Sequence, residues 1–176
     1  MLNCHYILKY KCTLMNFKKY LPQFVYGSID GTVTTFAIVS GVAGAALSPA
    51  VVLILGVANV LADGFSMASS NYLSERSKSR HHPVQALKTS SATFLAFVIV
   101  GFVPIFPYIF NFNFSGMTLF QTSCIFTFLT FLFIGLVRGK VTGQNKLHAA
   151  GETIVIGSAA AAISYYVGFF LKGLIQ

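Results

Sequence analysis

Charge is what this chain has least of. Only 9% of its 176 residues are Asp, Glu, Lys or Arg, against about 25% in soluble domains. That is too little charge to cover a water-facing surface, and it excludes soluble enzyme folds. Carboxylates are scarcest, at four: Asp30, Asp63, Glu75 and Glu152. Cysteine is sparse too. Cys4, Cys12 and Cys124 fall in no C-x-x-C spacing, which argues against a disulfide framework and against a zinc site. There is no glycine-rich phosphate loop and no H-E-x-x-H pair. The first 20 residues carry four lysines and lack a long apolar core, so they do not read as a cleavable signal peptide. Met15 is an alternative start.

What is there is apolar. Hydrophobic residues make up 55% of the chain and the mean hydropathy is +0.73. The expectation is an all-α integral membrane protein with five transmembrane helices per protomer. The expected spans are about 24–47, 50–73, 90–110, 117–137 and 152–171, each near the length of about 20 residues that a bilayer requires. They form one transmembrane domain, 23–176, behind a tail at 1–22, which is expected to be unstructured. Ser48-Pro49 breaks the first two spans apart. Pro104 and Pro107 predict a kink near the outer end of the third. Eleven of the twelve Lys and Arg fall in the tail and in the loops after the second and fourth spans, leaving Lys172 alone at the other face. Positive-inside orientation then puts the N-terminus in the cytoplasm and the C-terminus outside or in a lumen. The same reading accounts for the +8 net charge without nucleic acid, since no basic stripe is interleaved with surface aromatics.

Two carboxylates, Asp30 and Asp63, fall inside predicted spans. A charge near the bilayer centre costs at least about 2.5 kcal/mol, so such a residue is a functional candidate by default. Tyr26, Asp30 and Thr34 form one stripe on the first span, and Asn59, Asp63 and Met67 form one on the second, each at four-residue spacing. Counted from the cytoplasmic ends at 1.5 Å per residue, Asp30 and Met67 lie at similar depth, roughly 10 Å in. A carboxylate, an amide oxygen and a thioether facing one cavity make a mixed site. Oxygen alone would suit magnesium or calcium, whereas a thioether suits softer or borderline metals. A carboxylate that takes up a proton releases its metal. The pattern therefore suits divalent iron or manganese exchanged for protons, as cargo and with no prosthetic group. Glu75 and Glu152 are further candidate ligands near the cytoplasmic face. Glu152 reads equally well as a first-turn carboxylate favoured by the helix dipole. Gly27 and Gly31, Gly41 and Gly44, and Gly56 and Gly64 are candidates for close helix packing or for hinges.

The segments Tyr26-Gly-Ser-Ile-Asp30-Gly-Thr-Val-Thr-Thr-Phe-Ala37, Gly41-Val-Ala-Gly44 and Gly56-Val-Ala-Asn59-Val-Leu-Ala-Asp63-Gly-Phe-Ser-Met67-Ala-Ser-Ser-Asn-Tyr72-Leu-Ser74 resemble the vacuolar iron transporter family of iron and manganese transporters. The resemblance is close over about the first 75 residues. The remaining spans are similar in length and topology, with Glu152-Thr-Ile-Val-Ile-Gly157 opening the fifth. The resemblance implies a homodimer whose ion path lies between the first and second spans of both subunits. It also implies proton-coupled removal of divalent metal from the cytoplasm, with Asp30 as the intramembrane aspartate and Met67 as the metal-facing methionine. Two features depart from plant-type members. Their long acidic insert after the second span is replaced by a short basic loop, Ser74 to Thr89, holding Glu75 and a His81-His82 pair. Their glutamate in the second span is replaced by Asn59, with Asp63 one turn later as the candidate to take over part of its role.

Competing functions leave marks that can be sought. An intramembrane aspartyl protease would pair two aspartates around a shared proton, but neither Asp30 nor Asp63 lies in a Gly-x-Gly-Asp context, so no enzyme is expected. A membrane assembly protein, with glycines packing and aspartates joining helices, is the alternative to a transporter, as is a transporter of another solute. The short loop leans towards a cell membrane, with a vacuolar or other organellar membrane as the second expectation.

Overall fold

The computed structural model describes residues 2–78, 83–111 and 117–175, with side chains described from 20 to 174. These residues contain α-helix and no strand. In chain order the helices are α1 (Leu2–Gly44), α2 (Pro49–Lys78), α3 (Pro83–Gly101), α4 (Phe106–Ile109), α5 (Leu119–Thr142) and α6 (Lys146–Ile175). The segment read as a tail is the first half of α1, which runs on as helix past Pro22.

Short, capped connections make these helices antiparallel neighbours. Between α1 and α2 only four residues intervene. Ala46 takes a left-handed φ of 54°, and the Leu47 amide reaches back to the Val42 carbonyl at 3.0 Å, closing the last turn of α1. Pro49 then opens α2, a position where its missing N–H costs nothing. The α5–α6 connection follows the same logic. Gly143 ends α5 at φ 71°, and the Asn145 side chain accepts from the Leu147 amide. At the start of α5, Thr118 and Gln121 form a reciprocal capping box.

The expected proline kink is a break. Helix α3 stops at Gly101, a 3-10 turn covers Val103–Ile105, and α4 adds one further turn. The buried Ser123 hydroxyl donates to the Pro104 carbonyl at 2.6 Å, supplying a partner at the break that helix geometry does not.

Helix α1 is the hub, touching α2, α3, α5 and α6. Its buried face mixes valines and Phe36 with small polar residues, of which Ser28, Thr32, Thr35 and Ser40 are all at most 1% exposed. Large apolar residues point outward instead: Ile54, Phe65, Ile99, Phe133, Ile163 and Phe170 are each more than 60% exposed. An exterior this apolar around a small-residue interior is the arrangement that lipid demands. Among the described residues, four helical segments are long and apolar enough to cross a membrane: Pro49–Lys78, Pro83–Ile109, Leu119–Thr142 and Lys146–Leu174. Helix α1 is not among them, because glycine, serine, threonine and Asp30 dilute its apolar run. It has four neighbouring helices to bury against and needs less contact with lipid. The core cluster, built on Phe36, Val39, Val52, Ile105 and Phe131, fills the half of the bundle near the α1–α2 turn. The other half holds a polar cavity.

Candidate functional site

The α1–α2 turn sets the register of the site. Asp30 lies fourteen residues before the end of α1 and Asp63 fourteen after the start of α2, so both sit about 21 Å from the turn. Their carboxylates are near enough to interact electrostatically. Both are half-buried. One helical turn on, Tyr26 and Met67 occupy the next rung and line one cavity. One turn back are Thr34 and Asn59. Thr34 spends its hydroxyl on the Asp30 backbone carbonyl at 2.8 Å, and the Asn59 amide nitrogen is buried without a partner.

Counted from the turn, the two stripes expected from spacing run alongside each other, in a register one helical turn from the one expected from the cytoplasmic ends. That count puts Asp30 level with Asp63, and Met67 level with Tyr26. The physical reason is the reference point. Helix α2 runs past Leu73 to Lys78 and α1 extends below residue 24, so the cytoplasmic helix ends give no common origin, whereas the four-residue turn does.

The cavity of about 600 Å³ opens between α1, α2 and α3. Met67 and Glu75 stand on its α2 wall with Ser66, Ser70 and Ser74, and Gln23 faces them from α1. Asn71 in that wall donates to Thr93 of α3 at 2.7 Å. Glu75 accepts from Lys78 at 3.2 Å, with the lysine well exposed. The Gln23 side-chain oxygen is buried and unpartnered. Neither Asp30 nor Asp63 lines this space, so the cavity ends one rung short of the carboxylate pair. The serines at 66, 70 and 74, with Gln23 and Asn71, were not singled out from the sequence. Their four-residue repeat beside Met67, Asn71 and Glu75 was the available signal.

Glu152 belongs to a different cluster. Its carboxylate accepts from the Arg138 guanidinium at 2.9 Å and lies 3.2 Å from the His148 ring nitrogen. The Arg138 contact ties α5 to α6, the His148 contact lies within α6, and together they engage both carboxylate oxygens. No group of three His, Cys, Asp or Glu side chains poised to hold a metal occurs among the described residues. The His81-His82 pair lies outside them.

The six candidate glycines sort by neighbour. A Cβ on Gly27 would meet the Thr93 carbonyl at 2.6 Å, and one on Gly31 the Phe97 carbonyl at 2.6 Å, so this pair seats α1 on the α3 backbone. Gly41 and Gly44 face Ser164 and Tyr165 of α6, where Ser164 also donates to the Ala37 carbonyl. Gly56 and Gly64 meet side chains, those of Ile105 and of Phe94 and Phe97.

Membrane-length helices, a small-residue interior and intramembrane carboxylates on a helical hairpin define a multi-pass membrane protein with a polar path beside its first two helices. The chain belongs to the VIT family, whose model matches residues 21–84 and 78–169. The two matched parts meet at the α2–α3 connection. The chain is 25% identical to the vacuolar iron transporter of Plasmodium berghei, covering 88% of this chain and 83% of that protein. It is 24% identical to that of Plasmodium falciparum (90% and 85%) and 23% identical to vacuolar iron transporter 1 of rice (80% and 81%).

Proposed function

We propose that this protein moves divalent iron or manganese out of the cytoplasm in exchange for protons. Relatives named as vacuolar iron transporters support metal as the cargo. The observation that carries the reading is the Asp30–Asp63 rung. Two neighbouring carboxylates on adjacent helices are unfavourable as two bare charges in a membrane. A divalent cation relieves that repulsion, and so do protons, so each can displace the other. Met67, one turn towards the cavity, adds a thioether suited to borderline metals over magnesium or calcium. The serine-lined cavity, with Glu75 at its wall, gives a hydrated ion a polar approach to that rung. Glu152, held by Arg138 and His148, serves the α5–α6 contact in this reading.

A homodimer is part of the proposal. In a single protomer the stripe Tyr26, Asp30, Asn59, Asp63 and Met67 is buried only in part, and Tyr26 is 64% exposed. Half-exposed carboxylates cannot face lipid cheaply. A second copy covering the α1–α2 face removes them from hydrocarbon. The eleven basic residues on one side orient the cavity to the cytoplasm. A cell membrane is the proposed location, and an organellar membrane would require no change in mechanism.

The test is metal uptake into proteoliposomes, comparing Fe²⁺ with Mn²⁺, with and without a pH gradient, for wild type and Asp30→Asn. The expected result is uptake of at least one ion that responds to the gradient and is lost in Asp30→Asn while the oligomer still forms. Full transport by Asp30→Asn refutes the mechanism. No uptake of either ion by folded wild-type protein transfers the case to an assembly role or another solute.

A further inference from the structure

We infer that the outer groove between α2 and α3 is a binding site for an anionic phospholipid. The groove has a volume of about 420 Å³ and lies on the opposite side of α2 from the polar cavity. Its walls are Phe65, Tyr72 and Leu73 of α2 and Leu87, Ser91 and Phe94 of α3. Phe65, Leu73 and Leu87 are each about 60% exposed or more, so a long apolar trough faces outward at membrane level.

Charge at one end decides the occupant. Phe65, Ser69 and Tyr72 recur along one face of α2, and the next residue on that face is Arg76, four beyond Tyr72 and seven beyond Ser69. Lys88 stands beside Leu87 at the flank of the α3 wall, also towards the α2–α3 connection. Both are exposed, and neither makes an ion pair among the described residues. The nearby carboxylate, Glu75, faces the other cavity and is taken by Lys78. The mouth is therefore cationic while the trough is apolar. An arginine fork binds phosphate oxygens in a bidentate manner, and the Tyr72 phenol sits at the level where tyrosine commonly meets headgroups. Basic pockets between membrane helices hold anionic headgroups for these reasons. One molecule with acyl chains along Phe65, Leu73, Leu87 and Phe94 and a phosphate at Arg76 and Lys88 satisfies both ends. The site is independent of the metal reading.

The experiment is native mass spectrometry of the full chain in neutral detergent with equimolar phosphatidylglycerol and phosphatidylcholine of matched acyl chains. Each basic residue near a headgroup supplies roughly a fivefold preference, so wild type retains phosphatidylglycerol over phosphatidylcholine by at least about that factor. R76Q/K88Q, two exposed positions, loses the preference. S91W, which fills the trough and leaves the charges, lowers retention of both lipids. K172Q, at the other end of the bundle, leaves the preference intact. Equal retention of the two lipids by wild type overturns the inference, and so does a preference that survives R76Q/K88Q. Undiminished phosphatidylglycerol on S91W would mean surface attraction without a groove site. Loss of dimer on S91W with lipid unchanged would mean that a second copy fills the groove. Either also overturns it.

Discussion

Gly31→Ala is the substitution whose cost the structure specifies most directly. A methyl group at Gly31 would lie 2.6 Å from the Phe97 carbonyl oxygen and 3.1 Å from the Phe97 Cα. Ordinary contact begins near 3.4 Å, so α1 and α3 must part by about 0.8 Å. The obstacle is backbone, which no rotamer change can move aside. Gly101 of α3 approaches the Gly31 backbone in turn, so the separation also loosens a second close contact. Overpacking of this kind costs about 1–3 kcal/mol. A chain of this size loses about 2–4 °C of thermal midpoint per kcal/mol. Gly151→Ala is the control, because nothing lies within 4 Å of its added methyl. It should be neutral or gain up to about 1 kcal/mol from helix propensity. The pair is compared by thermal unfolding in one detergent. Gly27→Ala should behave as Gly31→Ala does, and the double variant should cost less than the sum, since one displacement of α3 relieves both clashes. Equal midpoints for Gly31→Ala and Gly151→Ala would refute the claim that backbone contact sets the α1–α3 distance.

Two further outcomes follow from single contacts. Glu152→Gln breaks a partly exposed ion pair with Arg138, so stability should fall by no more than about 1 kcal/mol and metal uptake should stay within about twofold of wild type. A loss of tenfold or more would put Glu152 in the metal path. Ser123→Ala removes the buried donor to the Pro104 carbonyl and should cost about 1–3 kcal/mol for the acceptor left unpaired. A midpoint unchanged by that substitution would mean that another donor serves the break after α3.

Much of the architecture was legible because membrane helices declare themselves by composition. The all-helical class, the Ser48-Pro49 break and the disruption at Pro104 and Pro107 are all written in the sequence. The two stripes of the site were legible for the same reason, since four-residue spacing on a helix is geometry. Their register was not. Depth reckoned from the cytoplasmic ends matched Asp30 to Met67, whereas the turn matches it to Asp63. The α5–α6 hairpin teaches the same point. Arg138 and Glu152 lie on either side of a short connection, five residues before and nine after Gly143, and it is the length of the arginine side chain that spans the difference. The serine wall and Gln23 were missed because small polar residues in a membrane helix usually signal packing, and only the third dimension shows which of them border a cavity. Helix α1 was expected as the first span, yet among the described residues it is not one of the helices long and apolar enough to cross a membrane, and its position at the centre follows from neighbours that no single sequence displays.

That central position explains how one helix can be both the most constrained and the most functional. The stripe Tyr26, Asp30 and Thr34 and the stripe Gly27 and Gly31 are offset by one residue, about 100° around the helix. The glycine stripe rests on the α3 backbone and the carboxylate stripe faces α2. Towards the outer end, Gly41 and Gly44 bring α6 equally close. Backbone-to-backbone contact on two sides fixes α1, and with it the depth and direction of Asp30. Helix α2 is held differently. Gly56 and Gly64 meet the side chains of Ile105, Phe94 and Phe97, and side chains can change rotamer where carbonyls cannot. The rigid half of the Asp30–Asp63 rung therefore belongs to α1 and the compliant half to α2. Under the proposed exchange of metal for protons, a carboxylate pair that tightens on a cation and relaxes on protons would use one partner held and the other able to give, and the glycine contacts differ between α1 and α2 in that sense.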